Sequence, residues 1–273
     1  VVLAALNELG LPPRAVTIGI TGTPGAGKSS LIASTTAHIL RNDEQLSIAV
    51  LAVDPSSSVS FGSLLGDRTR MTVDDEQRFF FRSQASRLDL GGLSRVTYSV
   101  CRLLTRLFDL VMIETVGVGQ SEIDVCAVAD FTAVVMAPLG GDHVQWMKAG
   151  IMEKPDILVL NKCDQGDAAR RAWHSLRSAL GIAQPGPRPT PSIIRTSTVS
   201  GEGIDAFADW VTSRPVPDDQ SSRSAFFLRR WVQDEYGRSG LRRATGSPSW
   251  PEWQNRAAVD FEAAQLAITA EMS

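Results

Sequence analysis

The chain has 273 residues, 43% of them hydrophobic and 21% charged, with a formal net charge of -3. That balance fits a globular unit with room for an appendage, and it provides no global field for capturing nucleic acid or an acidic membrane. Cys101, Cys126 and Cys163 are far apart and form no CxxC pair. This argues against a disulfide framework or a Cys-rich zinc site and points to a reducing, cytoplasmic setting. His38, His143 and His174 do not cluster, and no apolar run is of membrane-spanning length. Val1 to Leu11 lacks the basic start and small-residue cleavage site of a secretory leader, and the missing initiator Met leaves the true N-terminus open.

In chain order, Val1 to Leu9 reads as a short helix closed by Gly10 and Pro12-Pro13. Apolar runs rich in β-branched residues follow at Val16 to Thr21, Ile48 to Asp54, Phe108 to Glu114, Thr132 to Ala137, Ile157 to Asn161 and Ile193 to Thr196, with a short addition at Phe79 to Phe81. Helical patterns fill the gaps at Lys28 to Leu40, Leu93 to Leu107, Val144 to Glu153, Ala168 to Leu180 and Ile204 to Ser213. Strands apolar along their whole length are buried on both faces, so the pattern predicts an α/β fold with a mostly parallel central sheet flanked by helices. After a Pro-, Asp- and Ser-rich linker from Arg214 to Ser222, Ala225 to Tyr236 and Glu252 to Ala270 read as helices separated by a Gly, Ser and Pro break. The expected organisation is an N-terminal helical stub (1–14), a nucleotide-binding domain (15–214) and a helical C-terminal arm (215–273).

Gly22 to Ser29 reads GTPGAGKS and matches G-x-x-x-x-G-K-[ST] between a strand and a helix. Such a turn cradles phosphates: Gly22, Gly25 and Gly27 let the backbone bend, and the N–H groups of Pro24-flanking residues, Ala26 and Ser30 lie along it. Lys28 would sit between the β- and γ-phosphates, and the Ser29 hydroxyl suits Mg²⁺, a hard ion that takes oxygen ligands. This is the sequence of a P-loop NTPase.

Asn161-Lys162-Cys163-Asp164 ends a later strand in the N-K-x-D pattern of GTPases. Guanine presents two N–H donors on one edge, which one carboxylate, Asp164, can accept together; adenine lacks that pair. Asn161 would brace the loop and meet the ring edge, the Lys162 stem would cover the base, and Thr196-Ser197-Thr198 would close the pocket. Asp54 and Glu114 end strands where a carboxylate can reach Mg²⁺ directly or through water. Gly66 to Arg70 could fold over the γ-phosphate, and Gly117 could donate its N–H to it, a bond released on hydrolysis. Gln120 is displaced from the place of a water-orienting glutamine, which predicts slow intrinsic turnover.

The segments GTPGAGKSS, VLAVDPSSS, GSLLGDRTRM, GGLSR, ETVGVGQSE, GGDHVQWMKAGIM, NKCD and TSTVSGEGI occur here in one order. Together they resemble the MeaB/ArgK family of G proteins that chaperone adenosylcobalamin-dependent acyl-CoA mutases, over about Ala15 to Trp210. The resemblance implies GTP and GDP as bound nucleotides, Mg²⁺, and a slow GTPase stimulated by a partner mutase of methylmalonyl-, isobutyryl- or 2-hydroxyisobutyryl-CoA type. It implies metal-region acids at Asp54 and Glu114, a switch acid at Asp67, and a third switch from Gly140 to Lys148 whose Lys148 reaches the nucleotide. It also implies a cytoplasmic homodimer joined through C-terminal elements. The stretch FFFRSQASRLDLGGLSR follows the family only loosely, the N-terminal extension is shorter, and Ser221 onward matches least. Competing readings are an ATP-dependent kinase linked to amino-acid transport, a nickel or cobalt metallochaperone GTPase, and a scaffold that uses nucleotide only to fold.

Overall fold

The β-branched runs assemble into one seven-stranded sheet of order β3-β2-β4-β1-β5-β6-β7. Its strands are β1 (Val16–Gly22), β2 (Ile48–Pro55), β3 (Phe79–Ser86), β4 (Leu110–Thr115), β5 (Phe131–Met136), β6 (Ile157–Leu160) and β7 (Ser192–Arg195). Every neighbouring pair is parallel, so the carboxyl ends of all seven strands share one edge. The computed structural model describes residues 11–55, 77–86, 95–115, 121–138, 155–182, 191–217 and 221–272. The helices expected at Val1 to Leu9 and Val144 to Glu153 lie outside them.

Helices α1 (Lys28–Asn42), α2 (Arg95–Leu107), α3 (Ser121–Val128), α4 (Asp167–Ile182) and α5 (Ile204–Thr212) flank the sheet. On one face, α1 and α5 meet Ile18, Ile20, Val50, Met112, Val135 and Val159. Alternate residues of the same strands point the other way: Leu51, Val111 and Ile113 meet α2 and α3, and Val134, Met136, Leu158 and Leu160 meet α4. Two-sided burial explains why these strands lack polar alternation. At Gly19, α3 comes so near β1 that an added Cβ would stand 2.7 Å from Val125.

Several boundaries depart from the sequence pattern. β3 runs on to Ser86, because its whole length pairs with β2. β4 starts at Leu110, since the Phe108 N–H donates to Leu104 and so belongs to the end of α2. Helix α3 was not expected at all. At the C-terminus, α6 (Ser221–Gly246) is two helical stretches that meet at Gly237, whose φ of 70 and ψ of -175 are not helical, so the first stretch ends at Tyr236 as expected and the second occupies part of the expected break. The last stretch divides into α7 (Trp250–Val259) and α8 (Phe261–Met272). Extended Asp260 separates them, and its carboxylate caps α8 by accepting from the Ala263 N–H at 2.9 Å.

Helices α6 to α8 share a core with the sheet through Phe227, Leu228, Trp231, Trp250, Trp253, Phe261 and Ile268. Tyr98 of α2 stacks on Phe227 at 3.9 Å between centroids and meets Ser224 through its hydroxyl. Arg102 grips both oxygens of Glu262, at 2.6 and 2.7 Å. Arg223 pairs with Asp130, whose carboxylate also accepts from the N–H and hydroxyl of Thr17. Because the Asp130 side chain is 1% exposed, removing one of these partners would leave a buried ion uncompensated. Among the described residues, no helix is long and apolar enough to cross a membrane.

Cys101 lies in this core, and burial pushes its thiol from an ordinary 9.0 up to about 12, with Arg223 pulling down and Asp130 pushing up. The folded thiol therefore keeps its proton where the unfolded one loses it. Its contribution to stability is complete below pH 9.0 and is lost as pH rises toward 12. Urea melts between these limits should show stability falling with pH, and Cys101→Ala should show a shallower fall. Equal slopes in the two proteins would refute the assignment.

Candidate nucleotide site

At the carboxyl edge, β1 ends in Gly22 and the chain turns through Thr23 to Gly27 before α1 begins at Lys28. Gly22, Gly25 and Gly27 have φ of 141°, 73° and 88°, left-handed values that side chains resist. A Cβ at Gly22 would lie 1.9 Å from the Val135 carbonyl oxygen, and one at Gly27 would lie 2.6 Å from Asn161 Nδ2. Two of these glycines are thus required by space as well as by φ. Pro24 and Gly25 are exposed at the crest, Ala26 is buried beneath them, and Ser30 faces outward from the first turn of α1. No side chain caps α1, so its positive end points into the turn.

Lys28 is 7% exposed. Its Nζ donates to the carbonyls of Gly22 at 2.8 Å and Thr23 at 3.1 Å, which folds the ammonium over the turn. The Ser29 hydroxyl donates to Glu114 Oε1 at 2.6 Å. Glu114 is the penultimate residue of β4, which pairs directly with β1, and Ser29 lies in the first turn of the helix that follows β1, so the two oxygen groups meet beyond neighbouring strands. Asp54 stands at the end of β2, opposite Ala85 of β3.

The second half of the site is built from β6 and β7. Asn161, 1% exposed, donates from Nδ2 to the Ala26 carbonyl at 2.9 Å and accepts at Oδ1 from the Thr196 hydroxyl at 3.0 Å. One side chain therefore joins the phosphate turn, the loop after β6 and the loop after β7. Lys162 follows in a left-handed conformation with φ 60, the only non-glycine residue with positive φ among those described. That twist leads into a short 3-10 turn, Cys163–Gln165. The Cys163 N–H donates to the Thr196 carbonyl at 3.0 Å. Asp164 is exposed, and its Oδ1 accepts from the buried Ser197 hydroxyl at 2.6 Å. Ser197 Oγ also accepts from the N–H groups of Val199 and Ser200, so it is fixed before it meets Asp164. Thr198 is half-buried beside it.

The structure thus gathers Gly22, Pro24, Gly25, Ala26, Gly27, Lys28, Ser29, Ser30, Glu114, Asn161, Lys162, Asp164, Ser197 and Thr198 along one edge, with Asp54 at the neighbouring strand end. Asp67, Gly117 and Lys148 lie outside the described residues, as do Gln120 and the expected switch segments at 66–70 and 140–148. The sequence reading placed Thr196 at the pocket wall but not as the hydroxyl that orients Asn161, and it missed the Thr23 carbonyl that holds Lys28, a main-chain contact with no sequence signal.

Over residues 3–218 the chain matches the family described as methylmalonyl-CoA mutase-associated GTPase MeaB. It is 40% identical over 227 residues to the mitochondrial methylmalonic aciduria type A homolog of Mus musculus, spanning 81% of this chain and 54% of that protein. It is 37% identical over 232 residues to GTPase ArgK of Escherichia coli, spanning 80% of this chain and 69% of that one. A solved LAO/AO transport system kinase shares the fold, with a TM-score of 0.59 at 22% identity, over 99% of this chain and 85% of that one. A P-loop, an N-K-x-D turn tied to it by Asn161, and a match spanning most of the chain agree: the protein belongs to the MeaB family of GTPases.

Proposed function

We propose that the chain binds GTP with Mg²⁺, hydrolyses it slowly, and uses the cycle to gate cofactor loading and protect an adenosylcobalamin-dependent acyl-CoA mutase. The mutase, of methylmalonyl-, isobutyryl- or 2-hydroxyisobutyryl-CoA type, stimulates hydrolysis. The protein works in the cytoplasm as a homodimer joined through its C-terminal helices. The observation that carries the nucleotide half is the Asn161 bridge, which sets the base-reading carboxylate and the phosphate turn in one frame.

In this reading the turn N–H groups and Lys28 bind the phosphates, Asp164 takes the two N–H donors of guanine, and Lys162 covers the base. Ser29 and Glu114, with Asp54 at the neighbouring strand end, would hold Mg²⁺. Hydroxyl and carboxylate oxygens already 2.6 Å apart suit a hard cation that keeps most of its shell for water and phosphate. When bound, the ion would neutralise charge on the phosphates. Asp67 and Lys148 complete the reading as a switch acid and as the added positive charge that closure on the mutase brings in.

The partner half rests on family membership and on the naming of the mouse relative for methylmalonic aciduria. An ATP-using kinase has no use for a carboxylate seated as Asp164 is. Among the described residues, no three His, Cys, Asp or Glu side chains gather as a metal site, so nothing there favours a nickel or cobalt cargo.

Calorimetry with magnesium tests the nucleotide half: GTP should bind about a hundredfold or more tighter than ATP, as expected for charge-assisted bonds to one purine edge. Equal affinities would end the reading. Capture from native extract on protein loaded with a non-hydrolysable GTP analogue tests the partner half, and recovery of no acyl-CoA mutase would reject it.

A further inference from the structure

Arg195, the last residue of β7, belongs to none of the nucleotide-binding motifs, yet its contacts converge behind the base-reading turn. Its backbone is fixed on both sides. It pairs with Leu160, the residue before Asn161, and the loop from β7 to α5 returns so closely that a Cβ on Gly203 would stand 1.9 Å from the Arg195 carbonyl oxygen. Its side chain lies on the face occupied by α4. There the guanidinium stands 6.0 Å from the ring centre of Trp173 of α4 and 3.2 Å from Glu202 Oε1. Cys163 immediately precedes Asp164. Trp173 packs beside the small cluster of Leu160, Cys163, Ala169 and Ala172 on which the turn rests. Glu202 accepts the Ser197 N–H at its carbonyl, at 2.9 Å, and Ser197 holds Asp164.

We propose that Arg195 is a positioning residue for guanine recognition: seated between Trp173 and Glu202, it fixes where the Asp164 carboxylate stands. It touches no nucleotide itself. A planar guanidinium can lie over a ring while its in-plane N–H groups meet a carboxylate, a geometry that a tetrahedral ammonium does not reproduce. The two routes to Asp164 are the packed one, through Trp173 to the cluster that holds Cys163, the residue before Asp164, and the hydrogen-bonded one through Glu202 and Ser197. Reading two adjacent N–H donors with one carboxylate demands alignment, and loss of alignment weakens the second bond before the first. The proposal rests on Asp164 being the group that reads the purine.

Inosine triphosphate isolates that second bond, because it lacks only the exocyclic amine of guanine. Affinities for GTP and inosine triphosphate are measured with magnesium on full-length wild type, Arg195→Ala, Arg195→Lys and Glu202→Gln, each first shown to melt cooperatively. Wild type should prefer GTP about tenfold or more. Arg195→Ala should shrink that preference about threefold or more, Arg195→Lys should not restore it, and Glu202→Gln, a change at an exposed carboxylate that leaves the core intact, should shrink it in the same direction. A purely structural role would weaken both nucleotides alike, so an unchanged ratio in Arg195→Ala overturns the proposal. Should Arg195→Ala fail to melt cooperatively, an unchanged ratio in Glu202→Gln overturns it instead. Absence of any GTP preference in wild type would instead overturn the Asp164 reading beneath it.

Discussion

Asp164→Asn should lose about a hundredfold in GTP affinity and gain affinity for xanthosine triphosphate. The carboxylate of Asp164 offers two acceptors to the two N–H donors of guanine. Asparagine keeps one acceptor and turns an N–H₂ toward the second donor, so one charged bond becomes a clash and the other becomes a neutral bond. Charged hydrogen bonds contribute about 1.5–3 kcal/mol each, which sets the scale of the loss. Xanthine carries a carbonyl where guanine carries its amine, and it therefore matches the amide. The fold should tolerate the change, since Asp164 is exposed and the Ser197 hydroxyl can donate to an amide oxygen as well as to a carboxylate. Competition among GTP, xanthosine triphosphate and ATP for one site measures the effect. Loss of affinity for all three in equal proportion would show that Asp164 supports the loop without reading the base.

The parts of this site visible in the sequence are those in which a single residue type satisfies a local backbone demand. Gly22 and Gly27 announce themselves because a Cβ at either would strike another strand or Asn161. The strands were legible because burial on both faces leaves short, uninterrupted apolar runs rich in β-branched residues, too short for helices. What the sequence hid is contact across elements. The bond from Asn161 to Ala26 spans 135 residues and exists only because β6 and β7 are laid beside β5 and β1 in that order. Thr196 looks like any turn threonine until it is known to face Asn161. The C-terminal helices misled at their boundaries for a different reason. Gly237 does end a helical stretch, but a second one resumes directly after it where a break was expected, and Trp231, Ala244 and Trp250 pack into one core across the kink. Asp260, set among helix-favouring residues, is a cap. The acid expected at Asp67 and the lysine expected at Lys148 lie outside the described residues.

Lys28→Met should lower hydrolysis at saturating GTP by about 10²–10³-fold while weakening GDP binding far less, since removal of one preorganised donor from developing charge has effects of that size. Methionine fills much of the lysine volume, so the change removes the charge and leaves the packing. Two features of the structure support placing this charge at the reaction. Lys28 is nearly buried, where an ion acts more strongly than in water. Its ammonium is held by two carbonyls of the turn that cradles the phosphates, so its position is set before nucleotide arrives. Such preorganisation favours the loose transition state, in which charge builds on the oxygen bridging the β- and γ-phosphates, and bound GDP passes through no such state. The effect must therefore be larger on turnover than on product affinity. Single-turnover phosphate release and GDP titration on the same preparation separate the two, and equal losses in both would mean that Lys28 binds the diphosphate without assisting its cleavage from the third phosphate.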